Sequence, residues 1–205
     1  MDEKLINRIE QNFKDHVAEL IENNDSQIVF WHKPGTVIYS MNVIYSKNFI
    51  YISGDLGEAI FKTTWITDYK NCSNNDFYYL LGKLSCASRG EKIWSSDKCI
   101  TDIDEWHKET IEYAIDDEAP KEYLVRLKEF AEELKCYTDD KYEYISHLQN
   151  FDLDDFDEPT ESYLWGAGER INDIMYYYWV ALRMIAEYLD KEKEVNDEKN
   201  KKNSI

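Results

Sequence analysis

The chain has 205 residues, of which 43% are hydrophobic and 15% aromatic, so it can bury a sizeable core and is not globally disordered. Its 42 acidic and 24 basic residues give a formal net charge of −18. This charge disfavours direct binding to nucleic-acid backbones or anionic lipid, and it suits either high solubility or docking to a basic surface on another protein.

The N-terminal part is predicted to form one helix and then a small sheet. Leu5, Ile9 and Phe13 recur at helical spacing, and the apolar pattern predicts an amphipathic helix over residues 3–22. Four segments rich in β-branched and aromatic residues follow, separated by short turn-forming stretches. They predict an antiparallel meander with strands at 27–32, 37–45, 48–53 and 58–65.

The rest of the chain is predicted to be mostly helical. Asp76 is expected to cap a short helix, and either Asp102 or Asp104 is expected to cap a longer one. Pro120 suits the first turn of another helix. Residues 85–99 give no consistent pattern. The predicted helices after the meander include those at 77–84, 140–148 and 169–189.

The order of helix, strands and helices predicts an α+β fold, in which one helix precedes the meander and a mostly helical C-terminal half follows it. We expect a single α+β domain over 1–190, with a helical lobe at 101–190 as the alternative. The charged residues 191–205 are expected to form a disordered tail. This order is not βαβ, so no Rossmann-like cofactor site is expected.

No catalytic constellation is marked in the sequence, so a protein that is not an enzyme is favoured, although catalysis is left open. His32 has no marked Ser or Cys partner, and Cys86 fits a buried structural thiol better than an activated one. The cysteines form no CxxC pair and have no histidine at ligand spacing. We therefore expect no cofactor and no metal. With no signal peptide before Met1 and no apolar run of membrane-spanning length, a cytoplasmic protein without membrane association is expected.

An acidic run is the candidate interaction segment. An EF-hand is excluded, because Phe156 stands at a ligand position and the sixth position is not glycine. The carboxylates fit a basic groove on a partner protein, and a plain solvated loop is the alternative. The residues assigned to this interaction are Asp152, Asp154, Asp155, Asp157 and Glu158.

Two turn motifs stand out in the meander, Lys33-Pro34-Gly35-Thr36 and Gly54-Asp55-Leu56-Gly57. The glycines can adopt positive φ at low steric cost, and Asp55 is expected to bond the backbone of its own turn. The alternative makes Asp55 and Glu58 ligands or acid–base groups at the tip of a hairpin.

These motifs, with Tyr39 between them and Phe61 shortly before Thr64-Trp65, resemble a family of phage and prophage proteins that carry a KPGT turn and a GDMG hairpin. Leu56 stands here in place of the usual methionine. The resemblance implies a phage-borne accessory gene, of a kind commonly devoted to host takeover or to blocking host defence. We therefore expect a phage-encoded inhibitor, of the anti-CRISPR or anti-defence type, that acts in the host cytoplasm. It would bind a basic surface on a host defence or nucleic-acid-processing protein through its acidic and aromatic surface.

Two other hypotheses remain open at this stage. The protein could bind or hydrolyse a nucleotide-derived signalling molecule, with aromatic rings stacking on the base and Lys33, Arg89 or Lys92 on the phosphate. It could also be a phage scaffold or chaperone. A homo-oligomer formed through the C-terminal helix is compatible with each of them.

Overall fold

The computed structural model describes residues 3–150 and 163–203, the last four by their backbone alone. The α+β prediction is confirmed: one helix precedes a six-stranded antiparallel sheet, and a mostly helical part follows. The chain divides into two compact units. Unit 2 spans Lys92–Ile171, and unit 1 comprises the chain on either side of it. These bounds differ from the expected lobe at 101–190, because the C-terminal helix belongs to unit 1.

Unit 1 is built from a sheet in which the strands follow one another in chain order. The sheet comprises β1 (Val17–Asn23), β2 (Ser26–His32), β3 (Met41–Ser46), β4 (Phe49–Gly54), β5 (Ala59–Lys62) and β6 (Leu84–Ala87). Its helices are α1 (Glu3–Phe13), α2 (Tyr69–Ser73), α3 (Phe77–Leu81) and, after unit 2, the long C-terminal helix.

Unit 2 joins three helices to a two-stranded antiparallel sheet whose strands lie at the two ends of the unit's sequence. These elements are β7 (Lys92–Trp94), α4 (Ser96–Asp116), α5 (Lys121–Lys135), α6 (Lys141–Asn150) and β8 (Glu169–Ile171). The helices share one core, which includes Ile103, Trp106, Phe130 and Tyr144. The C-terminal helix of unit 1 is α7 (Asp173–Asn203).

The prediction of a single helix over 3–22 is wrong. α1 ends at Phe13, and the chain turns before β1 through a hydrogen bond from the His16 N–H to the Phe13 carbonyl at 2.9 Å. β1 then pairs with β2 along its whole length through the two-residue turn at 24–25. Its apolar residues satisfy both a helical and a strand period, and pairing with β2 decides between them. The second predicted strand is also too long, since residues 37–40 form a turn before β3.

α7 lies at the centre of the unit 1 core. It contacts α1, α2, α3 and β1, and its residues from Met175 to Leu189 include most of its buried side chains. The Tyr178 ring meets Phe61 edge-on, and the Tyr188 ring does the same with Trp31. The helix continues to Asn203 with exposed side chains over residues 190–199. The tail that was expected to be disordered from residue 191 is thus helical up to Asn203.

The predicted cap of the long helix is also wrong. Ser95 caps α4, and its hydroxyl accepts a hydrogen bond from the Lys98 N–H at 3.3 Å. Asp102 lies inside α4 and is buried; its carboxylate accepts from the Lys98 ammonium at 2.5 and 2.6 Å and from the Gly168 N–H at 2.8 Å. Asp102 therefore links the N-terminal part of α4 to the loop before β8.

Candidate interaction surface

Only one face of the six-stranded sheet is covered by the described helices of unit 1. On that face, alternate residues such as Val29, Trp31, Val43 and Ile50 are fully buried. The strand residues between them point to the opposite face, because successive side chains of a strand alternate between its two sides. We call that opposite side the outward face.

The strand register aligns apolar side chains in one line across the outward face. Each residue in this line is directly opposite the next one on the neighbouring strand, so that all six strands contribute one residue. We call this line the apolar row, and it consists of Ile21, Ile28, Ile44, Tyr51, Ile60 and Cys86.

The apolar row is open to solvent at several points. Within the row, Ile21 remains 48% exposed and Tyr51 36% exposed. Phe30, which lies beside the row two residues after Ile28 on β2, also remains 36% exposed. Phe49 stacks on Tyr51 with ring centroids 5.7 Å apart, which extends the apolar area towards the β3–β4 turn. A contiguous apolar area of this kind is uncommon on a monomeric surface, where single exposed apolar residues are normal.

The outward face also carries few charges, although 32% of the residues of the chain are charged. In the strand register, its formally charged residues are Glu19 and Lys62, which lie on either side of the apolar row. The Glu19 carboxylate lies 3.1 Å from His32 Nε2, and the Lys62 ammonium lies 5.9 Å from the centroid of the Phe49 ring. The acidity of the chain is thus located elsewhere than on this face.

The Gly54-Asp55-Leu56-Gly57 motif contacts the loop that follows the KPGT turn. Asp55 Oδ2 accepts a hydrogen bond from the Tyr39 N–H at 2.8 Å, and the Asp55 N–H donates to the Ser40 carbonyl at 3.0 Å. The Asp55 carboxylate therefore bonds the loop after the KPGT turn. The prediction that it bonds the backbone of its own turn is wrong. Gly54 (φ +150°) and Gly57 (φ +98°) both adopt positive φ. We call the pair of bonds between Asp55 and residues 39–40 the clasp.

Three further contacts hold this clasp in unit 1. The Leu56 carbonyl accepts from the Tyr178 hydroxyl at 3.0 Å, and the Asp55 carbonyl accepts from Arg89 at 3.1 Å. The Glu58 N–H donates to the Ser88 hydroxyl at 2.8 Å. The Asp55 carboxylate is occupied by the Tyr39 N–H, which favours the structural interpretation of Asp55 over a ligand or acid–base role, and Glu58 contributes its backbone N–H to the same region.

Each cation that the nucleotide hypothesis assigned to a phosphate has a protein partner. The Lys33 ammonium lies 2.8 Å from the Asp15 carboxylate, and Arg89 donates to Asp55. Lys92 belongs to unit 2 and lies 3.0 Å from the Glu169 carboxylate. The structure therefore gives no support to a phosphate site formed by these three cations.

Among the other predicted residues, the acidic interaction segment Asp152, Asp154, Asp155, Asp157 and Glu158 lies outside the described residues. The structural assignment of Cys86 as a buried thiol is wrong, since Cys86 is exposed on the outward face. Its position on an edge strand leaves it uncovered on that side. In the part of the chain that the structure describes, no three His, Cys, Asp or Glu residues are grouped as metal ligands, and no helix is long and apolar enough to cross a membrane.

Comparison of the chain with protein-family models, with curated proteins and with solved structures found no match.

His16 gives unit 1 a predicted pH dependence. The ring is buried between Phe13 and Trp31, with ring centroids 5.1 and 5.4 Å away. This burial lowers the pKa of His16 below its ordinary value of 6.5, and the backbone of the loop that holds Tyr39 opposes the shift. The unfolded chain then binds the proton more readily. The stability that the neutral His16 ring contributes is fully present above its ordinary pKa of 6.5 and falls as the pH decreases through that value.

We expect the free energy of unfolding of unit 1 to fall between about pH 7.5 and about pH 5.5, because the unfolded chain takes up a proton at His16 that the folded chain resists. His16→Phe should remove most of this decrease, because phenylalanine keeps an aromatic ring and does not titrate. Burial also lowers the pKa of His107 in unit 2, so His107→Phe is the matched control. Amide hydrogen exchange of the residues of the six-stranded sheet measures the stability of unit 1 separately from that of unit 2. An unchanged pH dependence in His16→Phe would contradict the assignment.

Proposed function

We propose that this protein is an interaction protein that docks a protein partner on the outward face of its sheet. The observation that carries the proposal is the apolar row, which runs across six strands and remains open to solvent. Binding energy at protein interfaces comes mostly from clustered apolar and aromatic anchors, and the apolar row with Phe30 and Phe49 offers such a cluster.

The charge of the chain supports a basic partner. A net charge of −18 attracts a positively charged protein over several ångströms, whereas the outward face itself is nearly neutral. The two features have different effects: the overall charge raises the association rate, and the face provides the contact that slows dissociation. Association is therefore expected to slow as salt rises, while dissociation depends on the apolar row.

The resemblance to phage and prophage proteins supports a host protein as the partner. On this proposal the chain is a phage-encoded accessory protein that inhibits a host defence or nucleic-acid-processing component by occupying its basic surface. The carboxylates at Asp152, Asp154, Asp155 and Asp157 remain part of the proposal as a second, acidic contact. Association of two copies through α7 is a further proposal.

The test compares capture of partners from a bacterial lysate by variants with the same net charge. Ile44→Glu with Tyr51→Lys puts an opposite-charge pair at the centre of the apolar row, where the two residues are directly opposite each other. Tyr113→Lys with Ile115→Glu is the matched control on α4, because these side chains are 75% and 58% exposed.

We expect the wild-type protein and the α4 variant to capture the same partner, and the apolar-row variant to lose it. Circular dichroism verifies that both variants are folded. A thermal-shift screen against cyclic and linear nucleotides runs in parallel. Capture that is unaffected by the apolar-row variant would overturn the proposal, and a nucleotide-dependent shift without a protein partner would favour the small-molecule hypothesis.

A further inference from the structure

A second site lies at the edge of the sheet. We propose that the free edge of β1 and the adjoining part of α7 bind an extended, basic peptide segment of a partner protein, which adds to the sheet as a further strand. This site is distinct from the apolar row, and its test does not depend on the proposed function.

β1 is an edge strand, since the sheet order places β2 on one side of it and no other described strand pairs with it. The two-residue turn after Asn23 makes Asn23 and Ser26 a hydrogen-bonded pair. Such pairs alternate along an antiparallel ladder. The N–H and C=O groups of Ala18, Leu20 and Glu22 therefore point away from β2, in the geometry that an added strand needs.

A groove of about 690 Å³ adjoins this edge. β1 forms one wall, and the end of α7 forms the other, with Tyr188 and Leu189 between them. We call it the β1 groove. Its floor offers an aromatic ring and an aliphatic side chain for a peptide residue that points inwards, and five of the seven residues of β1 line it.

The charge of the β1 groove selects the peptide. Its lining includes the carboxylates of Glu19, Glu22, Glu192 and Asp197 and, as a cation, Lys193. Alternate side chains of an added strand point to the two sides of the sheet, so a peptide with lysine or arginine at alternate positions would place its cations near these carboxylates. An acidic strand, including β1 of a second copy, would be repelled. The glutamates of β1 also serve as the charges that protect sheet edges from aggregation, which is the structural alternative.

The probe is a fluorescent peptide of alternating lysine and valine, as long as β1. A lysine–proline peptide of equal charge cannot donate backbone hydrogen bonds from its proline positions, and a glutamate–valine peptide reverses the charge. We expect the lysine–valine peptide to bind at least about tenfold more tightly than either, and its affinity to fall as salt rises.

Two variants locate the contact on β1. Leu20→Pro removes an outward-pointing N–H without removing a bond to β2, whereas Leu20→Ala keeps that N–H. We expect the first to weaken peptide binding by about tenfold and the second by less than about threefold. Ile44→Glu with Tyr51→Lys should leave peptide binding unchanged, so failure here and failure of the proposed function are distinguishable.

Amide exchange of the wild-type protein gives a readout that does not require Leu20→Pro to fold. The peptide is expected to slow exchange at Ala18, Leu20 and Glu22 more than elsewhere in the sheet. Equal binding of the lysine–proline peptide would overturn the proposal in favour of nonspecific charge attraction. No added protection along β1 would overturn it in favour of the structural alternative, in which the glutamates of β1 only guard the edge against aggregation. Concentration-dependent dimers with protected β1 amides would overturn it in favour of a second copy.

Discussion

Replacing Gly54 with alanine is expected to lower the free energy of unfolding by about 3 kcal/mol or more, because the new side chain is strained and overpacked at once. Gly54 has φ +150°, and a Cβ atom there would collide with the carbonyl oxygen of Ser40. That oxygen belongs to backbone and already accepts from the Asp55 N–H. The collision can therefore be relieved only by opening the clasp between Asp55 and residues 39–40.

Two control variants separate the causes of this loss. Gly35 also has positive φ, at +81°, but a Cβ atom there meets nothing within 4 Å. Gly35→Ala should therefore cost only about 1 kcal/mol from backbone strain. Asp55→Ala removes the exposed hydrogen bond to Tyr39 and should cost about 1 kcal/mol. Urea unfolding of the three variants is the measurement. If Asp55→Ala were the least stable, the clasp would be secondary to a ligand role for its carboxylate.

Asp102→Ala is expected to destabilise unit 2 by about 3 kcal/mol, since it leaves the Gly168 N–H buried without its acceptor and removes the ion pair with Lys98. Lys98 is partly exposed, which limits the cost of leaving its charge without a partner. Asp102→Asn keeps an oxygen near Gly168 and should cost less than alanine.

Asp104→Ala is the matched control, two residues away on the same helix. Asp104 is at the surface, where it pairs with Lys135, so its loss should cost less than about 1 kcal/mol. Amide exchange of α4 and α5 measures unit 2 separately from unit 1. Similar losses for Asp102→Ala and Asp104→Ala would show that the contact with Gly168 does not hold the loop before β8 against α4.

The meander was predictable from the sequence because its signals are local. Alternating apolar residues and the turn residues at Gly35 and Gly54 act within a few positions of one another. β1 was missed because Val17, Leu20 and Ile21 fit a helix as well as a strand, and only the pairing with β2 distinguishes them. Asp102 was misplaced for a similar reason. Its partner Gly168 is distant in the chain, and no local pattern connects the two.

The apolar row lay beyond sequence reasoning for a different reason. Ile28, Ile44, Tyr51 and Ile60 lie in predicted strands, whereas Ile21 and Cys86 do not, and the alignment of all six depends on the register of five strand pairings. A shift of one residue in any pairing would move the side chains of that strand to the other face. The exposed position of Cys86 follows from the same register and could not be read from its neighbours in the chain.

The exposed thiol of Cys86 lies on the outward face and can report on contact with a partner. Thiol footprinting of the complex therefore tests most directly the claim that a partner docks on this face. Cys86 is exposed in the apolar row, and Cys136 is exposed in unit 2. Burial raises the pKa of the Cys99 thiol to about 12 and that of Cys72 well above its ordinary value, so both should resist labelling. Maleimide labelling with and without the captured partner is read by mass spectrometry. Docking on the outward face predicts that the partner slows labelling of Cys86 and leaves Cys136 unchanged; equal labelling of Cys86 in the free and bound protein would contradict it.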